Sequence, residues 1–181
     1  MPKKQLLPYF RDSAKIFEHI AHDAWAVWLD SGFPHSQQGR YDILAADPVI
    51  TLVTKDLVTT INDGASVRHS EDDPFYLLQH YLGSIQTDSA DLPFNCGAIG
   101  YFSYDLGRRI EKLPSIASDG EAISQMSVGI YHWAIVVDHQ LEQTWLVSRD
   151  IAQSKLDVLS KLFSTPANYE SNSFEVLAEP K

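Results

Sequence analysis

Cysteine is nearly absent: Cys96 is the only one in 181 residues, so no disulfide closes within the chain and no second thiol completes a CxxC or zinc-ribbon pair. That usage fits a reducing compartment, and a cytoplasmic location is expected. Basic charge is scarce as well. Fourteen Lys and Arg stand against 24 Asp and Glu, a formal net charge of −10 at pH 7. The few cations are not clustered, so a phosphate backbone would meet net repulsion, and nucleic acid is not an expected partner. No apolar run approaches the roughly 18 residues of a membrane helix, and Met1-Pro2-Lys3-Lys4 is not followed by the apolar stretch of about seven residues that a secretory signal needs. No membrane association is expected. What is present is 44% apolar residues on a length suited to one domain, enough to bury a core without staples.

Hydrophobic periodicity organises that content. Ala14, Ile16, Phe17, Ile20 and Ala21 fall on one arc at helical spacing, with Lys15, Glu18, His19 and His22 opposite, so the segment after Asp12-Ser13 reads as a surface helix. From Ala24 the period becomes two, giving a strand that ends at Asp30-Ser31-Gly32. Arg40–Ala46 and Val49–Val53 read as strands broken at Asp47-Pro48, where proline removes a ladder donor. Asn62-Asp63-Gly64 closes a hairpin between Leu57–Ile61 and Ser66–His69. Asp72-Asp73-Pro74 caps a helix whose apolar face includes Phe75, Leu77, Leu78, Tyr81, Leu82 and Ile85.

Past the small-polar loop at 86–93, Cys96–Tyr104 is strand-like but carries Gly97 and Gly100, which weaken a strand unless something approaches closely. Met126–Val137 is apolar on both faces and reads as one central strand, with His132 a structural imidazole. Asp138-His139-Gln140 turns the chain into a Thr144–Ser148 strand, and Asp150 is expected to cap a final helix whose arc takes in Leu156, Val158, Leu159 and Phe163. The resulting expectation is an α+β fold, a mainly antiparallel, sandwich-like sheet system with about three helices packed outside it. Residues 1–165 are read as the domain and 166–181 as a polar linker.

Catalytic templates fail one by one. There is no GxSxG elbow, P-loop, HExxH or GxGxxG, and His19-x-x-His22-Asp23 lacks a third ligand at a recognisable spacing. Cys96 has neutral neighbours, which suits a structural thiol better than a nucleophile. Glu71-Asp72-Asp73 is explained by the macrodipole of the helix it precedes. Arg108-Arg109, beside Asp105 and Glu111, reads as arginines paired with nearby carboxylates. From the residues alone the chain has no complete active site.

Two stretches carry a resemblance. Leu29-Asp30-Ser31-Gly32-Phe33 followed by Arg40-Tyr41-Asp42-Ile43-Leu44-Ala45-Ala46-Asp47-Pro48 resembles the strand–loop–strand near the start of the chorismate-utilising enzymes. Gly97-Ala98-Ile99-Gly100-Tyr101-Phe102-Ser103-Tyr104-Asp105 resembles the G-x-x-G-x-[FY]-x-Y-D segment of the same group, and its continuation through Leu106-Gly107-Arg108-Arg109-Ile110-Glu111-Lys112-Leu113-Pro114 is more like the aminodeoxychorismate synthase component I branch than the anthranilate synthase branch. Met126–His139 is similar to the family's next strand, so the likeness runs in order from about Trp25 to His139.

The resemblance implies an N-terminal, non-catalytic domain. In the family the lysine of a P-I-K-G-T motif and the glutamates that hold Mg²⁺ lie in a C-terminal chorismate-binding domain, and P-I-K-G-T does not occur here. It also implies a glutamine amidotransferase partner for the full-length enzyme, which would aminate chorismate to 4-amino-4-deoxychorismate on the way to p-aminobenzoate and folate. The alternatives are the corresponding part of anthranilate synthase component I, or a free-standing tryptophan-binding module. By carry-over from the family's L-L-E-S and R-[FY]-S segments, Leu29, Asp30, Ser31, Arg40 and Tyr41 are the expected tryptophan pocket. Alternation, however, sets Asp30 on the face opposite Leu29 and Ser31.

Overall fold

The computed structural model describes residues 3–83, 91–111 and 122–167. Its elements run β1 (Lys3–Leu7), α1 (Ala14–Phe17), β2 (Val27–Leu29), β3 (Tyr41–Ala45), β4 (Ile50–Lys55), β5 (Val58–Asn62), β6 (Val67–Ser70), α2 (Pro74–Leu82), β7 (Gly97–Phe102), a 3-10 helix at Tyr104–Arg109, β8 (Met126–Tyr131), β9 (Trp133–Asp138), β10 (Gln143–Ser148) and α3 (Gln153–Leu162). The strands form two antiparallel five-stranded sheets, ordered β1-β10-β9-β3-β2 and β6-β5-β4-β8-β7. The expected antiparallel α+β architecture is borne out.

The chain changes sheet at two places. Asp47-Pro48 interrupts hydrogen bonding, with Asp47 at a φ of 51°, and β4 emerges in the second sheet. The return is at His132, where the apolar run expected as one strand is two: β8 pairs with β4 and β7, whereas β9 pairs with β3 and β10. Hydrophobicity could not mark this corner because both segments are buried on both faces. The corner is held by the Arg149 N–H donating to the His132 carbonyl at 2.8 Å.

Three apolar clusters hold these layers. On one face of the first sheet, Leu44, Trp133, Ile135, Val137 and Leu146 pack under Ile16, Ile20, Leu156, Leu159 and Phe163. On one face of the second, Leu52, Ile61, Met126 and Val128 pack under Leu77 of α2 and Leu106 of the 3-10 helix. Where the sheets meet, Tyr131, Ala134, Val136 and Val147 pack against Cys96 and Ile99. Each such large side chain contributes about 1.5–3 kcal/mol of burial.

Local signals fared unevenly. Asp73 caps α2, accepting from the Tyr76 N–H at 2.9 Å with Pro74 in the first turn. The hairpin closes through Gly64 at a φ of 78°, with the Asp63 carboxylate accepting from the Ala65 and Ser66 amides. The expected long first helix is only four residues; past it the chain winds in separate turns that deliver Ile20 into the core. His19 is partly buried: its Nε2 lies 2.8 Å from the Thr165 carbonyl and its ring meets Phe163 edge-on, while His22 is exposed as expected. Trp25 has a φ of 55°, so the strand expected from Ala24 starts at Val27.

Asp150, also at positive φ, does not cap α3, whose N-cap is Ala152 without a side-chain bond, and Val158 is exposed. Gly100 has a packing reason: a Cβ there would lie 2.1 Å from the Ser127 carbonyl oxygen on β8. Hydrogen bonding to the body continues to Ala167, whose N–H donates to the Lys15 carbonyl. Ile85, residues 86–90, Lys112-Leu113-Pro114 and the linker from 168 onward lie outside the described residues.

Candidate functional site

Register sets the five expected pocket residues on neighbouring strands without making them converge. Leu29 on β2 lies opposite Ile43, which lies opposite Val136, which lies opposite Trp145 on β10, forming one row across a sheet face. Tyr41, opposite Asp138, belongs to the same face. Leu29 is half exposed there. Asp30, as alternation suggests, turns away: its Oδ1 accepts from the Gly32 N–H at 2.8 Å and shapes its own turn.

Ser31 is committed elsewhere, its N–H and hydroxyl both donating to Asp42 Oδ1 at 2.8 Å. Arg40 grips Asp138, with Nε at 3.2 and 3.3 Å from the two oxygens and an NH2 group at 2.9 Å, and its guanidinium lies 4.5 Å over the Tyr41 ring. A cavity of about 200 Å³ opens further along the face, lined by Lys4, Asp91, Leu92, Asp138, Leu141, Gln143 and Trp145, none of them among the five.

The polar centre of this region is Asp42, whose side chain is 3% exposed. Besides Ser31, it accepts from the Ser13 hydroxyl at 2.5 Å and from His139 Nε2 at 2.9 Å. A carboxylate only accepts, so Nε2 carries a proton; in the neutral ring Nδ1 then accepts from the Tyr9 hydroxyl 3.1 Å away. The His139 ring stacks on Phe33 with centroids 4.2 Å apart, and the Arg11 guanidinium lies over the Phe33 ring 5.6 Å from its centroid. One carboxylate thus ties together the segment before α1, the β2–β3 loop, β3 and the end of β9. Sequence reasoning missed it. The available signal was an aspartate at an inward-facing position of an apolar strand, where a charge is kept only if paired.

The electrostatics follow the bonding. Burial alone would push the Asp42 carboxyl up, but bonds from His139, Ser13 and Ser31 outweigh it and hold the group below the usual carboxylate range. Asp138 is likewise raised by burial and more strongly lowered, first by Arg40 and then by the Leu141 and Gln140 amides. Both are therefore anions in the folded protein at neutral pH. Tyr9 is pushed upward, mainly by burial, so its hydroxyl is a hydrogen-bond donor rather than a nucleophile. Burial pushes the Cys96 thiol up to about 12, which fits a structural role.

The two arginines differ from one another. Arg108 Nε donates to the Asp105 carboxylate at 2.8 Å, as expected, whereas Arg109 donates to the backbone carbonyls of Asp56, Glu71 and Asp72 and braces two loops. His132 is half-buried and lines a small cavity with Arg149, Tyr131 and Cys96. Among the described residues no group of three or more His, Cys, Asp or Glu side chains is placed to hold a metal, and no helix is long and apolar enough to cross a membrane.

No family model matches the chain. Aminodeoxychorismate synthase component 1 of Escherichia coli K12 is 37% identical over 168 residues, 90% of this chain and 37% of the relative. The protein of the same name from Salmonella typhimurium LT2 is 41% identical over 154 residues, 82% of this chain and 34% of the relative. Among solved structures, anthranilate synthase component I from Streptococcus pneumoniae TIGR4 matches with a TM-score of 0.59 and 25% identity, covering 70% of this chain and 29% of that one. The chain spans little more than a third of the length of the curated relatives it matches.

Proposed function

We propose a role for a chain that is homologous, along nine tenths of its length, to aminodeoxychorismate synthase component 1 and aligns with part of it: it is the non-catalytic N-terminal portion of such an enzyme. In this reading the whole protein adds ammonia to chorismate in the cytoplasm, giving 4-amino-4-deoxychorismate for p-aminobenzoate and folate. The relatives' designation as component 1 implies a partner subunit, and a glutamine amidotransferase supplying the ammonia fits that place. The observation that carries the proposal is high identity over most of this chain combined with low coverage of the relatives. Leu6 and Leu29, at the two edges of the first sheet, are exposed although the centre of their face is buried, which suits a domain that packs against more protein. In this reading Mg²⁺ belongs to the catalytic portion of the longer protein.

The test uses the 181-residue chain with chorismate, ammonium and Mg²⁺, alone and mixed with the rest of the E. coli relative as a separate polypeptide. No product is expected alone, and aminodeoxychorismate is expected in the mixture; turnover by the chain alone would overturn the non-catalytic assignment. The solved-structure match favours a second reading, anthranilate synthase component I, which anthranilate and pyruvate as products would establish. Tryptophan binding at Leu29, Asp30, Ser31, Arg40 and Tyr41 belongs to the same proposal. In this reading the pocket is closed partly by the portion with which the chain does not align, so calorimetric titration of the isolated chain is expected to show no saturable binding. Micromolar binding would support a free-standing tryptophan module instead.

A further inference from the structure

The two sheets present four outer edges, and three carry protection. β1 bears Lys3 and Lys4, β6 bears Arg68 and His69, and β2 is only three residues long. β7 has none of these devices. Its sequence, Gly-Ala-Ile-Gly-Tyr-Phe, contains no charge and no proline, and its register with β8 runs without a bulge from Gly97 opposite Tyr131 to Phe102 opposite Met126. Among the described residues no strand pairs with its outer side. The strand is buried at Gly97 and Ile99 and exposed from Gly100 to Phe102, so its outward backbone N–H and C=O groups are presented as a pairing template in that second half.

Aromatic side chains flank that template on both faces. Phe102 stacks on Phe75 of α2 with centroids 5.5 Å apart, and the two are 49% and 40% exposed. Tyr101, on the opposite face by alternation, is 45% exposed, and Tyr104 just beyond is 87% exposed. Exposed aromatics around an open edge are the composition of a docking surface, with main-chain bonds giving affinity and flanking side chains giving register.

We propose that the outer edge of β7 is a strand-docking site whose occupant is an uncharged β-strand from the portion of the longer protein that this chain does not align with. The proposal rests on the functional reading above, and the relatives have well over half of their length available to supply such a strand. A second copy of this chain is the competing occupant.

Hydrogen–deuterium exchange of the 181-residue chain, alone and mixed with the rest of the E. coli relative as a separate polypeptide, tests it. Outward amides within the exposed half, Gly100–Phe102, are expected to exchange rapidly in the chain alone and about tenfold or more slowly in the mixture. A Tyr101→Lys variant, which leaves the Phe102–Phe75 stack in place, is expected to keep its melting temperature and lose that protection. Complex formation without protection at β7, or protection in the chain alone that grows with concentration alongside a dimer, overturns the proposal. Intact E. coli protein provides a second readout that needs no reassembly: the outward amides aligned with 100–102 must be protected there, and rapid exchange overturns the proposal. Failure of the functional reading shows separately, in the product assay.

Discussion

Replacing Asp42 by alanine tests whether one carboxylate holds the β2–β3 loop, β3 and the end of β9 together. The side chain accepts four hydrogen bonds: two from Ser31, one from Ser13 and one from His139. In Asp42→Ala the serine hydroxyls can reorient, but the Ser31 N–H and His139 Nε2–H lose their acceptor. Each buried donor left unpaired costs about 1–3 kcal/mol, and removing one partner of a buried pair costs about 3–5 kcal/mol. Against a total stability of about 5–15 kcal/mol, the expected loss is about 3–5 kcal/mol, a fall in melting temperature of about 6–20 °C. Asp42→Asn keeps an acceptor for the Ser31 N–H and is expected to lose about half as much.

The pH dependence has a definite sign. The folded carboxyl titrates below its unfolded value of about 3.9, so its contribution is fully present above that pH and is lost as pH falls through the folded value. Urea unfolding at several pH values should therefore show a gap between wild type and Asp42→Ala that is constant from about pH 5 to 7 and narrows below about pH 4. A gap under about 1 kcal/mol at pH 7, or one that widens in acid, would refute the reasoning.

Three further outcomes are expected. Gly100→Ala, forced against the Ser127 carbonyl, should cost about 1–3 kcal/mol in urea unfolding, and a change within about 0.5 kcal/mol would mean that β7 and β8 are not held so closely. Asp73→Ala, which removes the acceptor for the Tyr76 amide, should destabilise by about 1 kcal/mol; no change in the urea midpoint would show that the cap contributes nothing. Cys96, buried and raised to about 12, should react with iodoacetamide slowly at neutral pH and rapidly in denaturant, whereas free-thiol rates in buffer would contradict its burial.

Signals confined to a few adjacent residues survived folding: the Asp73-Pro74 cap, the Gly64 hairpin and the break at Asp47-Pro48 were legible because their physics is local. The Trp25–His139 likeness was legible as well, and the identity to aminodeoxychorismate synthase component 1 bears it out. The Asp42 cluster was not. Its members are Tyr9, Ser13, Ser31 and His139, which only the strand pairing brings together, and alternation names a face without naming who sits across it. The same limit explains Met126–Val137: a period of two continues through His132 unchanged while the neighbours change completely.

The two corners at Asp47-Pro48 and His132 have a kinetic consequence. Because β3 pairs with β9 and β4 pairs with β8, the sheets share one bent two-stranded ribbon, closed by contacts such as Ile50 with Ile130. The central strands β9 and β4 can pair locally with β10 and β5, but neither sheet can join its two halves until that long loop closes, so both must wait for the same late, entropically costly event. Folding should therefore register as one step seen alike by probes in either sheet, and a cut anywhere between the ribbon's halves should slow both together.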